Sequence, residues 1–170
     1  MLVIRCTQKL LKERSIDASA LDEPASEGIF GSWFAHLLII DRRKCVLFTH
    51  GSTLYSFLVP GVRKADLARF EQVVLSHLLQ SLQAEGINGA VRARLESEAR
   101  HVVLARTNNR SVLGSMNDLA LQCKATIAAG RIENCDVAEL NQRLNRIPMR
   151  AISYRYAIEQ FKEHLRQVLG

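Results

Sequence analysis

Residues 33–61 read WFAHLLIIDRRKCVLFTHGSTLYSFLVPG, and their pattern is the strongest indication of the fold. This stretch contains three short apolar runs, Trp33–Ile40, Cys45–Thr49 and Thr53–Val59. Two tight turns are predicted between these runs, and the polar residues Asp41–Lys44 form the first of them. Short runs that are rich in branched and aromatic residues and joined by such turns are typical of a β-meander. The first run is apolar almost throughout, which predicts a central strand covered on both faces.

On the N-terminal side of the meander, Leu2–Ile4 predicts a short strand, and Thr7 can cap a helix over Gln8–Arg14. Residues 15–31 are rich in Ser, Asp, Glu, Pro and Gly and predict a surface loop. On the C-terminal side, apolar residues at spacings of three and four from Lys64 onward predict a helix of about five turns that ends at Gly86.

The remaining chain predicts a short helix over Val91–Ala99, a strand over His101–Arg106, and then three helices. The first of these follows Thr107–Ser111, the second begins at Asp136, and the third begins at Ser153. We therefore expect an α+β fold, with a mainly antiparallel sheet of four or five strands, a central β-meander, and helices packed on it. Residues 1–170 are expected to form one domain, in which 131–170 are a helical extension.

Composition excludes several classes of protein. Of the 170 residues, 48% are hydrophobic, which is ordinary for a globular chain, and no apolar run approaches the ~20 residues that span a bilayer. No secretory signal is recognisable at the N-terminus, which favours a cytoplasmic location and reduced thiols for Cys6, Cys45, Cys123 and Cys135. Neither the cysteines nor the five histidines have the spacing of metal ligands, so no metal and no cofactor are expected.

The formal net charge of +6 permits a nucleic acid or another anionic partner, although the excess is spread along the chain. Two clusters stand out, one in the first turn of the meander and one around Pro148. They make up the candidate basic surface: Arg42, Arg43, Lys44, Arg143, Arg146 and Arg150. Turn charges are usually only solvated, and the three in the meander also protect a hairpin from edge pairing.

The segment Thr107–Asp118, TNNRSVLGSMND, is the richest in chemistry, because it runs from a strand through a polar loop into a helix. A helix N-terminus offers free N–H groups, and Arg110 beside it could bind phosphate or carboxylate. The candidate ligand-binding residues are Thr107, Asn108, Arg110, Ser111, Ser115, Asn117 and Asp118. The plainer alternative is that Asn109 or Ser111 is an ordinary N-cap and Asp118 lies on a solvated face. The pattern is neither a P-loop nor a nucleophile elbow.

Several stretches also resemble a bacterial family of proteins that carry a domain of unknown function. They are Ile4–Lys12, Trp33–Leu37 with Asp41–Phe48, Ser56–Gly61 and, above all, Thr107–Leu119. The resemblance implies membership and no activity, and it extends over most of residues 1–129.

Three hypotheses for the function remain open, and the sequence leaves undecided whether the protein is an enzyme. The first is a non-enzymatic cytoplasmic binding or regulatory domain associated with nucleic acid, which predicts a continuous basic face. The second is an enzyme that acts on a phosphorylated or carboxylated small molecule at Thr107–Asp118, with Asp118 or His50 as the base. The third is an antitoxin-like protein–protein interaction module with an exposed apolar patch near Ile29 and Phe30.

Overall fold

A computed structural model covering residues 1–170 contains a five-stranded mixed sheet in the order β4-β3-β2-β1-β5. The strands are β1 (Leu2–Cys6), β2 (Ser32–Ile40), β3 (Arg43–His50), β4 (Ser56–Val59) and β5 (Val102–Arg106). β2, β3 and β4 pair antiparallel, as the meander predicts, whereas β1 pairs parallel with both β2 and β5. The α+β class is confirmed. The parallel half of the sheet was not predicted. Because β1 and β5 lie beyond β2, the meander forms one side of the sheet and not its centre.

The hairpin between β2 and β3 is tighter than predicted. Ile40 pairs directly with Arg43, so only Asp41 and Arg42 form the loop. Both have positive φ, 48° and 61°, which is the signature of a type I′ turn and matches the twist of the flanking strands. The predicted four-residue turn was wrong, because Arg43 and Lys44 already belong to β3, where they pair with Ile40 and Ile39 of β2.

Seven helices surround the sheet: α1 (Gln8–Glu13), α2 (Lys64–Ala68), α3 (Phe70–Ala84), α4 (Gly89–Glu98), α5 (Arg110–Ala128), α6 (Val137–Leu144) and α7 (Ala157–Leu169). The long helix predicted from Lys64 is interrupted at Arg69, and Gly86 follows its end with a φ of 71°, as expected of a C-terminal cap. The last helix begins at Ala157, later than the predicted start at Ser153. None of the helices is both long and apolar enough to cross a membrane.

Two apolar cores lie on opposite faces of the sheet. Trp33 and Leu37 of β2 belong to the larger core, and Phe34 and Leu38 belong to the smaller. Side chains alternate across a strand, so a strand buried on both faces must be apolar at nearly every position. The central, doubly covered position predicted for the first apolar run is therefore confirmed.

The connections after β1 and β5 leave the sheet on opposite faces. Leu10 and Leu11 of α1 pack in the larger core, while Val112 and Met116 of α5 pack in the smaller core. β1 and β5 are parallel neighbours, so their carboxyl ends form a topological switch point. Ligands of open α/β sheets bind outside such a point, so the loop between β5 and α5 is a candidate binding position.

Candidate functional site

The segment Thr107–Asn109 joins β5 to α5 at the switch point. The side-chain oxygen of Asn109 accepts hydrogen bonds from the backbone N–H groups of Ser111, at 3.0 Å, and Val112, at 3.2 Å. Asn109 is therefore the N-cap, which confirms one of the two plain alternatives for this segment. Because the side chain uses two of the free N–H groups of α5, less of the helix N-terminus is open to a ligand than the sequence suggested.

Arg5, which the sequence reasoning missed, lies under this loop and is 2% exposed. Its Nη2 donates to Glu23 at 2.6 Å and to Glu27 at 2.9 Å, its Nη1 donates to the Arg106 carbonyl, and its Nε donates to Ser32. The side-chain oxygen of Asn108 accepts from both terminal nitrogens at 3.2 Å in the amide orientation that satisfies both groups. The hydrogen bond from Arg5 lowers the pKa of Glu23.

Every donor of Arg5 is thus directed at a group of the protein itself. The guanidinium ties the loop of residues 15–31 to the ends of β1 and β5, and Asn108 contributes to that tie instead of facing a ligand. The sequence did contain a signal for Arg5, which is a charged residue inside the apolar run Leu2–Cys6. A charge that is buried in such a run is almost always paired.

The candidate residues within α5 divide between two faces of the helix. Ser111, Ser115 and Asp118 line a groove, whereas Arg110 and Asn117 lie on another exposed face. Ser115 is buried, and its hydroxyl donates to the Ser111 carbonyl at 3.1 Å. The structure therefore does not bring the candidate residues together in one site.

The groove lies between α5 and residues 147–154 and encloses about 560 Å³. Leu119 and Met149 supply apolar walls, and Arg150 with the 67% exposed Tyr154 stands at its border. Tyr154 has a φ of 60°, a left-handed conformation that is uncommon for a bulky residue. Arg150 is the residue of the basic cluster around Pro148 that lines the groove.

The other exposed face of α5 carries Arg110, Asn117 and Lys124 at intervals of seven residues, with Leu121 between the last two. Seven residues are close to two turns, so these side chains project in nearly one direction over about 21 Å. We call this set the α5 stripe. Neither Arg110 nor Lys124 forms an ion pair.

His36 of β2 lies within electrostatic reach of Lys124 on α5 and of Lys9 on α1. Burial lowers the pKa of His36, and the ammonium groups of Lys9 and Lys124 lower it further. Lys9 is exposed and, like Lys124, forms no ion pair, so two unpaired cations act on this half-buried ring. The Nδ1 of His36 lies 3.3 Å from the hydroxyl of Thr7, which occupies the N-cap position of α1 but makes no cap bond with its side chain.

The predicted basic surface is largely neutralised by carboxylates. Arg43 pairs with Glu133 and Lys44 pairs with Glu13. On α6 and just beyond it, the ion pairs are Arg143 with Glu139 at 2.6 Å and Arg146 with Glu85 at 2.8 and 2.9 Å. Only Arg42 and Arg150 of the candidate set remain exposed without a carboxylate partner. Except for Glu139, each partner carboxylate is distant in sequence from the arginine or lysine that it pairs with. The residues near each cation therefore gave no sign of the ion pair.

His50 is completely buried and serves the fold. Its Nδ1 lies 2.8 Å from the hydroxyl of Thr53, and its Nε2 lies 2.6 Å from the carbonyl oxygen of Phe30. Burial lowers the pKa of His50 to about 4. A ring with both nitrogens engaged and no access to solvent cannot act as a base on a bound substrate, so the role considered for His50 was wrong.

Two further expectations concern cysteines and the early loop. Cys6, Cys45 and Cys123 are buried free thiols, as predicted, and Cys135 is partly exposed. No three His, Cys, Asp or Glu side chains converge in a way that could hold a metal ion.

Phe30 is 1% exposed, so the apolar patch proposed at Ile29 and Phe30 reduces to Ile29 alone.

With these surfaces defined, the chain can be placed among known proteins. It is an α+β protein built on a mixed five-stranded sheet. Residues 3–160 match the family described as a domain of unknown function, DUF6933, and the protein belongs to that family. The expected membership of a family with a domain of unknown function is confirmed. No curated protein and no solved structure matches the chain.

Proposed function

We propose that this protein is a non-enzymatic binding domain of the bacterial cytoplasm whose partner is nucleic acid, held along the α5 stripe. The observation that carries the proposal is the distribution of unpaired cations. Arg110 and Lys124 on α5 keep their charges free, as does Lys9 on α1, which like Lys124 lowers the pKa of His36, whereas Arg143 and Arg146 are paired with carboxylates. Free cations on one exposed face are the electrostatic footprint of a polyanion-binding surface.

The length of the α5 stripe favours an extended partner over a small anion. Arg110 and Lys124 are separated by about 21 Å along the helix, a distance that spans several phosphates of a nucleic-acid strand. Between them, the Asn117 amide can hydrogen-bond phosphate, sugar or a base edge. The exposed Leu121 offers an apolar contact on the same face.

The test is binding of fluorescein-labelled single-stranded DNA, double-stranded DNA and RNA, followed by fluorescence anisotropy over a range of salt concentrations. The double variant Lys9→Gln/Lys124→Gln should weaken binding at least about fivefold and reduce the salt slope by about two, because each lysine neutralises one phosphate. Arg143→Gln is a control that removes one positive charge, and its effect should be small because Glu139 already holds that side chain. Equal weakening in the two variants, or a flat salt slope in the wild-type protein, would refute the proposal.

His36 provides a second readout that does not depend on affinity. A phosphate placed between Lys9 and Lys124 would offset the two charges that lower the pKa of His36. The pKa of His36, followed by NMR titration, should therefore rise when nucleic acid binds. A pKa that is unchanged at saturating nucleic acid would place the binding surface elsewhere.

A second candidate function concerns the groove between α5 and residues 147–154. Its volume of about 560 Å³, its apolar walls and the unpaired Arg150 suit a phosphorylated or carboxylated small molecule. In this alternative, Arg150 takes the anion-binding role first considered for Arg110, and Asp118 is the group available for acid–base chemistry. A thermal-shift screen with phosphorylated and carboxylated metabolites tests it: a shift that disappears in Arg150→Ala and persists in Arg110→Ala supports the groove.

A further inference from the structure

β5 is an open edge of the sheet. It pairs with β1 on one side and with no strand on the other. The backbone N–H of Leu2 donates to the carbonyl of His101 at 2.8 Å, and alternate residues of a parallel strand bond to the same neighbour. The N–H and C=O groups of Val102 and Leu104 therefore point away from β1, and no other backbone group bonds to them.

The side chains of β5 also leave apolar surface beside that edge. Val102, Val103 and Leu104 are each only half-buried, although Val102 and Leu104 pack against the larger core. Proline, lysine, a bulge or a covering element usually protects a strand in this position. The strand Val-Val-Leu-Ala-Arg has none of these within its apolar part. An added strand would satisfy the outward backbone groups and complete the cover of these side chains.

The charges at the two ends of β5 indicate which strand fits. Arg100 precedes the strand and Arg106 ends it; both are exposed and neither forms an ion pair. If two copies paired antiparallel about Val103, Arg106 of each copy would lie opposite Arg100 of the other, so like charges would meet at both ends. An apolar strand with carboxylates near its ends would meet those arginines with complementary charge instead.

We propose that the open edge of β5 binds an extended segment of a partner protein by strand addition, and that this segment carries acidic residues at its ends. Main-chain hydrogen bonds would supply affinity, while Arg100 and Arg106 would select the partner. The site is separate from the α5 stripe, and it gives the interaction-module hypothesis a location other than the loop that contains Ile29.

The experiment uses two fluorescein-labelled peptides with the same alternating Val-Thr centre, one flanked by acidic residues and one by lysines. The wild-type protein should bind the acidic peptide at least about tenfold more tightly. Arg100→Glu/Arg106→Glu should reverse that preference. The control Arg131→Glu/Arg155→Glu changes the net charge equally at exposed, unpaired arginines elsewhere and should keep the wild-type preference.

Amide hydrogen exchange identifies the bound edge. Saturation with the acidic peptide should slow exchange at the outward amides of Val102 and Leu104, with little change at Val103, which already bonds to β1. Equal binding of the two peptides, or protection confined to other residues, would overturn the proposal. So would protection of the same amides in the protein alone at concentrations where sedimentation shows a dimer, because a second copy would then occupy the edge.

Discussion

The two edge strands, β4 and β5, are both short and apolar, yet they meet opposite surroundings. α6 covers the free side of β4, where Asn145 accepts from the backbone N–H of Ser56 at 2.7 Å and donates to its carbonyl at 2.8 Å. Asn141 accepts from the N–H of Leu58 at 2.9 Å. Nothing equivalent covers β5.

The contrast shows how a backbone group without a strand partner is accommodated. A buried N–H or C=O group must find a partner inside the protein, while an exposed one can use water or another chain. Asparagine carries both a donor and an acceptor, so a buried asparagine can substitute for a missing strand. β4 is therefore closed to partners, and β5 is available to them.

The most direct test of this comparison is hydrogen exchange of the free protein. The amides of Ser56 and Leu58 bond to buried asparagines and should exchange only by large-scale unfolding. The outward amides of Val102 and Leu104 should exchange from the native state, at least about 10³-fold faster. Comparable rates at the two edges, measured by NMR, would show that β5 is covered in solution.

A substitution at the closed edge should have the largest effect on stability. Asn145→Leu keeps a similar volume but leaves the N–H and C=O of Ser56 buried and unbonded, which should cost about 3 to 4 kcal/mol. Urea unfolding measures the change. The exposed Asn134→Leu is the control and should stay within about 0.5 kcal/mol. A destabilisation below about 1 kcal/mol at Asn145 would mean that water can replace the amide.

Acid should weaken the closed side of the sheet through His50, which holds the turn between β3 and β4. Its pKa is lowered to about 4 in the folded protein, whereas an unfolded histidine titrates near 6.5. Between these values the unfolded chain binds a proton that the folded chain does not, so stability falls as pH decreases. The full effect is up to about 3 kcal/mol.

The measurement is urea unfolding between pH 7 and 4.5 on the wild-type protein and on His50→Gln, which cannot titrate. The variant is less stable at pH 7, and its stability should depend less on pH. Identical slopes in the two proteins would assign the acid sensitivity to other groups.

A smaller effect is expected where α6 is clamped onto α3. Arg146 holds the carboxylate of Glu85, whose side chain is only 2% exposed. Arg146→Met leaves that carboxylate buried and unpaired and should cost about 2 kcal/mol, reduced from the fully buried case because Arg146 itself is partly exposed.

Arg143→Met is the matched control, because Arg143 and Glu139 form an exposed pair within one helix. It should change stability by no more than about 0.5 kcal/mol. Similar destabilisation of the two variants in urea unfolding would mean that the buried position of Glu85 does not matter.

Local patterns predicted most elements of the fold and failed where distant contacts intervene. The meander, the N-cap position before α5 and the end of α3 just before Gly86 depend on side-chain alternation and backbone conformation within a few residues. The parallel pairing of β1 with β2 and β5 depends on contacts across most of the chain, and no local signal carries it.

The candidate site shows the same limit. Periodicity places Ser111 and Asp118 on one side of a helix and Arg110 on another, but only the packed structure shows that residues 147–154 face the first side. Asn141 and Asn145 could have been noticed as amides at i and i+4 beside the buried leucines of α6. Nothing in the sequence indicates that they cover β4.

What the amino-acid sequence established is the class of fold, most of the helices and strands, the buried cysteines and the family. Which charges stay unpaired and which edge of the sheet stays open became known only from the folded chain. The physical reason is separation along the chain: Arg146 meets Glu85 61 residues away, and Asn145 meets Ser56 89 residues away. The sequence shows which residues are charged or can form hydrogen bonds. Whether those groups are paired depends on partners that only folding brings within reach.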